Sequence, residues 1–222
     1  MNYTLDFEPV LTGMPDLLMG CVGTLFLATC GMVIALIIGI CGVPLRDSRV
    51  RPVRWAVMTF VEVIRNTPFL VQIYFVFFAL PLIGIRLTPT PTAIIALGLN
   101  GGAYAIEIIR GGVQSIDKGQ IEAGLSLGLH KRDVFRFIVL RPALRAVYPS
   151  LTGQFVMLTL TTSIASAIAA YDLTSVAKLI ENASFRSFEV YGTITVMYLI
   201  MSWLIMRIFG VIRHFYFSYP VK

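Results

Sequence analysis

Charge is what this chain has least of. Only 14% of its 222 residues are Asp, Glu, Lys or Arg, against about a quarter in soluble domains. Hydrophobic residues make up 57%, and the mean hydropathy is +0.81. That balance excludes a disordered tail, a coiled coil and a disulfide scaffold, and it argues against a soluble enzyme. Cysteine is scarce as well. Cys21, Cys30 and Cys41 sit in one apolar run, with neighbours about 13 and 16 Å apart on a helix, beyond disulfide reach. No CxxC suggests zinc or another metal, so the three read as buried small apolar residues. A phosphate-binding loop, G-x-x-x-x-G-K-[ST], is absent, and no Gly-Lys pair occurs anywhere. Without those donors the chain has no means of hydrolysing ATP itself.

What is present is long apolar runs. A membrane-spanning helix needs about 20 mostly apolar residues. Five such runs are read, over residues 17–43, 53–80, 92–109, 143–170 and 188–212. Strand alternation long enough for a barrel is missing, and no internal repeat is visible. The first run is too long for a signal-peptide core and lacks a basic leader. The expectation is an all-α membrane protein of one domain, residues 1–222, with a loop at 111–142 between spans three and four.

The net charge of +6 is unevenly placed. Fourteen of the 18 Lys and Arg fall on one side, between spans one and two, between spans three and four, or at the C-terminal end, with Arg54, Arg145 and Arg207 just inside the adjoining span ends and Lys222 included. Only Arg86, Lys178 and Arg186 fall on the opposite side, and Arg65 lies within a span. Positive loops stay in the cytoplasm, which places the N-terminus outside and the C-terminus inside. No basic patch is left over for nucleic acid.

The 111–142 loop holds Ile121, Leu125 and Leu129 four apart, one stripe of a helix. Gly128 suits a helix end, and Asp133 suits the cap of a following helix with Phe135, Ile138 and Val139 turned inward. Either this is an amphipathic surface loop, or it is a docking helix offered to a partner's groove.

Glu122-Ala123-Gly124, then Gly128, then Ile138 resembles the EAA loop of ABC-importer permeases, whose pattern is E-A-A, three residues, G, nine residues, I, one residue, L-P. Gly124 replaces the second alanine, and the proline falls one place late, at Pro142. The stretches Gly102 to Gly112, Glu62 to Pro68 with Gln72, and Thr162-Ser163 with Tyr171 to Thr174 resemble the polar-amino-acid branch, similar to histidine and glutamine permeases. A lysine common before the Thr-Ser pair is absent. The resemblance spans residues 20–198 and implies the type I importer permease fold in a bacterial inner membrane. It implies a second permease subunit, identical or homologous, and two ATPase subunits that bind ATP and Mg; this chain holds no cofactor. It also implies a periplasmic protein that delivers the amino acid. Glu122, Ala123, Gly124 and Gly128 would then couple the spans to the ATPases.

Ionisable groups inside a membrane suggest function. Glu62 and Arg65 are three apart on one face, as are Glu107 and Arg110. Each pair is either self-neutralising or part of a gate. Pro68 kinks span two and exposes carbonyls near Ile64, making Asn66, Thr67 and Gln72 pathway candidates. Thr162 and Ser163 are added from the resemblance. Asp172 either receives a substrate cation or caps a helix beginning near Thr174. Two other readings are weighed. Gly124-Leu125-Ser126-Leu127-Gly128 matches the G-x-S-x-G elbow of a hydrolase, with Ser126 as nucleophile, but that motif needs a strand before it. A stand-alone channel or secondary transporter lacks the expected inverted repeats.

Overall fold

The computed structural model describes residues 4–217. Lys222, counted among the basic C-terminal residues, lies outside that range. Every regular element among the described residues is helical. In chain order they are α1 (Glu8–Thr12), α2 (Met14–Arg46), α3 (Arg51–Arg65), α4 (Phe69–Leu82), α5 (Pro89–Gln114) and α6 (Lys118–Ser126). Then follow α7 (Lys131–Asp133), a π-helical turn (Val134–Val139), α8 (Leu140–Ala165), a 3₁₀ turn (Ser166–Ile168), α9 (Leu173–Ser184) and α10 (Ser187–Phe217). The stretch Lys131–Ile168 is one 38-residue rod. Among the described residues, four helices are long and apolar enough to cross a membrane: α2, α5, that rod, and α10.

The second apolar run takes an unexpected form. Residues 53–80 do not make one kinked helix; α3 and α4 meet at 115°. Asn66 ends α3 and Pro68 caps α4 in extended backbone. A proline lacks the N–H for an α-type bond and forces its neighbour out of the helical region, so the chain turns a corner here.

The two central rods, α2 and α5, pack through small residues. Gly31, Ala35, Gly39 and Gly42 repeat along one face of α2, and Gly98, Gly101, Gly102 and Ala105 along the facing side of α5. A methyl added at Gly31 would stand 2.9 Å from Leu97 Cβ, and one at Gly102 would stand 2.7 Å from Ile38 Cγ2. Such spacing lets backbones approach where lipid supplies no hydrophobic drive. The cysteines lie off that seam. Cys21 and Cys30 are half-buried and Cys41 is exposed, so they are not the fully buried residues expected.

One apolar core joins α2, α4, α5 and α8 around Leu27, Ile73, Leu97 and Leu158. A second gathers α1, α2, α9 and α10 around Leu17, Leu173, Val190 and Met201. At the second core Gly20 meets Leu173 backbone, and Thr24 Oγ1 accepts from Leu173 N at 3.1 Å. Outside these cores the rods expose Phe26, Ile40, Phe75, Leu199, Trp203 and Phe215. Large apolar side chains facing outward along long apolar helices suit a lipid or subunit environment.

Candidate functional site

The corner between α3 and α4 leaves Val63 O and Ile64 O without backbone partners, and nearby side chains take both, while Glu62 O, already bonded by Asn66 N at 3.1 Å, receives a second bond. Asn66 Nδ2 donates to Glu62 O at 2.8 Å, and Thr67 Oγ1 to Val63 O at 2.8 Å. Gln72 Nε2 reaches back from α4 to Ile64 O at 2.7 Å, to Thr67 O at 3.0 Å and to Thr67 Oγ1 at 2.9 Å. Irregular backbone at membrane depth costs several kcal/mol per unpaired group, so this repair is what makes the corner possible. The same Gln72 accepts from Asn100 Nδ2 of α5 at 2.9 Å. Gln154 of α8 donates to Gly101 O at 3.0 Å.

Thr67, Asn100 and Gln154 open onto a cavity of about 340 Å³, whose lining also includes Phe69, Tyr104, Met157, Leu158 and Thr161. Sequence reasoning missed Asn100, Tyr104, Gln154 and Thr161. The signal is uncharged polar side chains inside apolar helices: the hydroxyls of span four are weighed as packing, and the amides of Asn100 and Gln154 are not weighed at all. Thr162 and Ser163 are placed differently. Thr162 is fully buried and bonds Thr159 O, and Ser163 bonds Leu160 O, both within their own helix.

Below the corner lies a charged hollow of about 250 Å³ that includes Arg46, Glu62, Arg65, Tyr104 and Glu107. Glu62 and Arg65 do not pair within 4 Å, although they share a helix face. The Arg65 guanidinium instead lies over the Tyr104 ring at 5.3 Å, a cation–π contact. Glu107 sits between two cations: it pairs with Arg46 of α2, and Arg110 approaches at 4.0 Å. Arg46 counted in the sequence only as a loop charge; nothing local showed that α2 would end beside Glu107. The hollow thus ties α2, α3 and α5 together at one end.

Asp172 is fully buried and caps α9. Its carboxylate accepts from Thr174 N at 3.1 Å and Ser175 N at 2.9 Å, and Ser175 Oγ accepts in return from Asp172 N at 2.9 Å. Tyr198 Oη adds a contact at 3.3 Å. Burial outweighs these donors and lifts its carboxyl above the usual range. Of the two roles considered for this residue, the geometry displays the cap.

The segment joining α5 to the 38-residue rod is shorter than residues 111–142, because α5 runs on to Gln114 and the rod begins at Lys131. Between them stands α6. Asp117 caps it, accepting from Gly119 N at 2.6 Å. Gly128 ends it at φ +81°, in the left-handed region that side chains resist. Gly128 N donates to Leu125 O at 3.0 Å and Leu129 N to Gly124 O at 3.2 Å, the bond pair of a Schellman ending. Glu122, Ala123 and Leu125 are exposed. Leu129 lies beyond the helix and is exposed too, so the apolar stripe is not packed within this chain.

Gly124 is the buried point of α6. A methyl there would run into the Ile138 side chain and lie 3.2 Å from Val134 Cγ2, which explains glycine in place of the motif's second alanine. Both neighbours belong to the π-helical turn. Pro142 brings no N–H for Ile138 O and its ring crowds that carbonyl, and a π turn absorbs one surplus residue in a helix. That accounts for the proline standing one place late. Asp133 does not cap a helix; His130 precedes the first turn and Asp133 lies inside it. Val139 is buried as expected, but Phe135 is 51% exposed rather than inward, because the wider turn puts Val134 on the inner face in its place. Ser126 donates to Glu122 O at 2.9 Å within α6, with no strand before it, so the elbow of a hydrolase is not formed.

Residues 31–216 match the family model described as "Binding-protein-dependent transport system inner membrane component". The chain belongs to that family. It is 35% identical over 199 residues to the glutamine transport system permease protein GlnP of Escherichia coli (strain K12), covering 89% of this chain and 91% of the relative. It is 38% identical over 188 residues to the L-cystine transport system permease protein TcyB of Bacillus subtilis (strain 168), covering 83% and 76%. The fold superposes on a crystal structure of an amino acid ABC transporter with histidines at a TM-score of 0.89 and 29% identity, covering 96% of this chain and 99% of that one. The methionine ABC transporter MetNI, inward facing, shares the fold at a TM-score of 0.71 and 21% identity. This chain is therefore a multi-pass permease subunit of an amino-acid ABC importer, and it is not itself catalytic. The family implies ATPase and substrate-binding partners.

Proposed function

We propose that this subunit lies in a bacterial inner membrane with α6 facing the cytoplasm, the N-terminus outside and the C-terminus inside. Its spans, broadly the five apolar runs, form one transmembrane domain. The observation that carries the reading is α6 itself: a short, mostly exposed helix, seated on the rod at its buried Gly124 and stopped by Gly128. Glu122, Ala123, Gly124 and Gly128 present it to one of two ATPase subunits, which bind ATP and Mg. Closure of the ATPases pushes α6, and α6 pushes the π turn and α8. A second permease subunit, identical or homologous, completes the pathway, and a periplasmic protein delivers a polar amino acid.

The substrate passes the corner residues Asn66, Thr67 and Gln72 and the half-buried Ser163, while the buried Thr162 serves the pathway through the packing of α8. Glu62, Arg65 and Glu107 form the inner gate around the charged hollow. Asp172 acts on the pathway indirectly, by holding the outer end of α9. Uptake by proteoliposomes containing the complete complex tests the coupling. Glu122→Trp or Gly128→Trp should leave the protein inserted and uncouple ATP hydrolysis from uptake; full uptake in both variants would refute the coupling role.

A further inference from the structure

The start of the long rod holds a groove of about 530 Å³, lined by Lys131, Arg132, Phe135, Arg136 and Leu140. Its polar and apolar parts are ordered along the helix. Lys131, Arg132 and Arg136 are exposed, and none has a carboxylate within 4 Å. Arg136 instead lies 5.6 Å from the Phe137 ring centroid. Next come Phe135 at 51% and Leu140 at 37% exposure, and one turn on stands Leu144 at 46%. A π turn has about 4.4 residues per turn, so positions four and five apart share one face, and that is what gathers these side chains into a groove. A water-facing basic patch has no use for a floor of Phe and Leu. Cations followed within two turns by exposed apolar side chains on a membrane helix match a phosphate headgroup followed by an acyl chain. Guanidinium groups bind phosphate oxygens in pairs.

We propose that this groove is a binding site for an anionic phospholipid, its headgroup phosphate held by Lys131, Arg132 and Arg136 and its acyl chain lying along Phe135, Leu140 and Leu144. Assigning it to the inner leaflet rests on the cytoplasmic placement of α6. The site abuts the π turn on which Gly124 sits, so a bound lipid braces the surface that carries α6.

The test is native mass spectrometry of the purified complete complex in detergent, titrated with phosphatidylglycerol or phosphatidylcholine. The wild type should retain phosphatidylglycerol in preference. One cation at a membrane surface contributes about fivefold in affinity, so Arg136→Gln should cost about that factor. Lys131→Gln/Arg132→Gln/Arg136→Gln should retain the two lipids equally, and Arg136→Lys should keep most of the preference. If the triple variant does not assemble, the Arg136→Gln and Arg136→Lys pair decides the matter. An unchanged preference in Arg136→Gln overturns the site. Displacement of the lipid by millimolar inorganic phosphate would make it a free-anion site and also overturns it. Loss of the ATPase subunits from Arg136→Gln would assign the groove to a protein contact instead. Reversed sidedness in a labelling assay would refute the membrane orientation without altering the lipid result.

Discussion

In the seam between α2 and α5 the glycines of one helix seat branched side chains of the other, Gly98 and Gly102 against Ile34 and Ile38, Gly31 and Gly42 against Leu97 and Ile106. At the corner between α3 and α4 the backbone breaks, and the side chains of Thr67 and Gln72 supply its missing bonds while that of Asn66 adds a second bond to Glu62 O. The seam has few alternative arrangements, because close-packed interiors do not deform gradually. The corner is held by rotatable amides and hydroxyls, which exchange partners at small cost. In one molecule, then, the close-packed seam and the side-chain-bonded corner differ in chemistry as well as in position. The polar cavity lies against the corner, and the charged hollow below it joins the corner to the seam through Arg46 and Glu107.

Substitution separates the two regions. Gly102→Leu forces a side chain against the β-branched Ile38 and should destabilise by about 3 kcal/mol or more. The expected result is little folded protein in membranes, read by size-exclusion of a fluorescent fusion; normal yield would mean the seam is loose. Gln72→Leu strips the bonds from Ile64 O and leaves Asn100 without its acceptor. A loss of about 2 kcal/mol follows, seen as a lowered Tm with uptake impaired in the surviving protein. Gly128→Val puts a β-branched residue at φ +81° and should cost about 1–2 kcal/mol. Its effect should appear in coupling between hydrolysis and uptake more than in yield, and Gly128→Asn should restore part of it.

The smallest effect is expected at Asp172, remote from the corner. Asn is as good a cap as Asp, so Asp172→Asn should change stability by less than about 1 kcal/mol at neutral pH. Its pH dependence has a definite sign. Burial raises the folded-state value, so the folded chain binds the proton more tightly than the unfolded chain. The cost of the charge is present in full above that raised value and is relieved as pH falls through it toward about 3.9. Wild type should therefore gain Tm relative to Asp172→Asn on acidification; the reverse trend would contradict a buried charge.

Much of the architecture was legible because lipid constrains sequence so tightly. Long apolar runs, a proline at 68 and a glycine at 128 each admit few structures. The Ile64 carbonyl was foreseen as exposed, and Gln72 is what answers it. What escaped was whatever depends on contacts between distant segments. The 115° corner is set by how α4 packs on α5 and α8, not by Asn66-Thr67-Pro68 alone. Arg46 meets Glu107 only because α2 and α5 align. The late proline was read as a mismatch in spacing, and the π turn that absorbs it appears only when Gly124 packs against Ile138. Polar but uncharged residues such as Asn100 and Gln154 gave the weakest signal, because neutral amides inside helices serve packing as often as function.

The most direct test places a cysteine at the tip of α6, as Glu122→Cys, with Cys21, Cys30 and Cys41 replaced by serine. In the complete complex, a short thiol–amine cross-linker should join position 122 to an ATPase subunit. An impermeant thiol reagent should reach it only from the cytoplasmic side, and the bond should form at a different rate with and without ATP. Labelling from the outside, or an ATPase that never cross-links, would contradict the account.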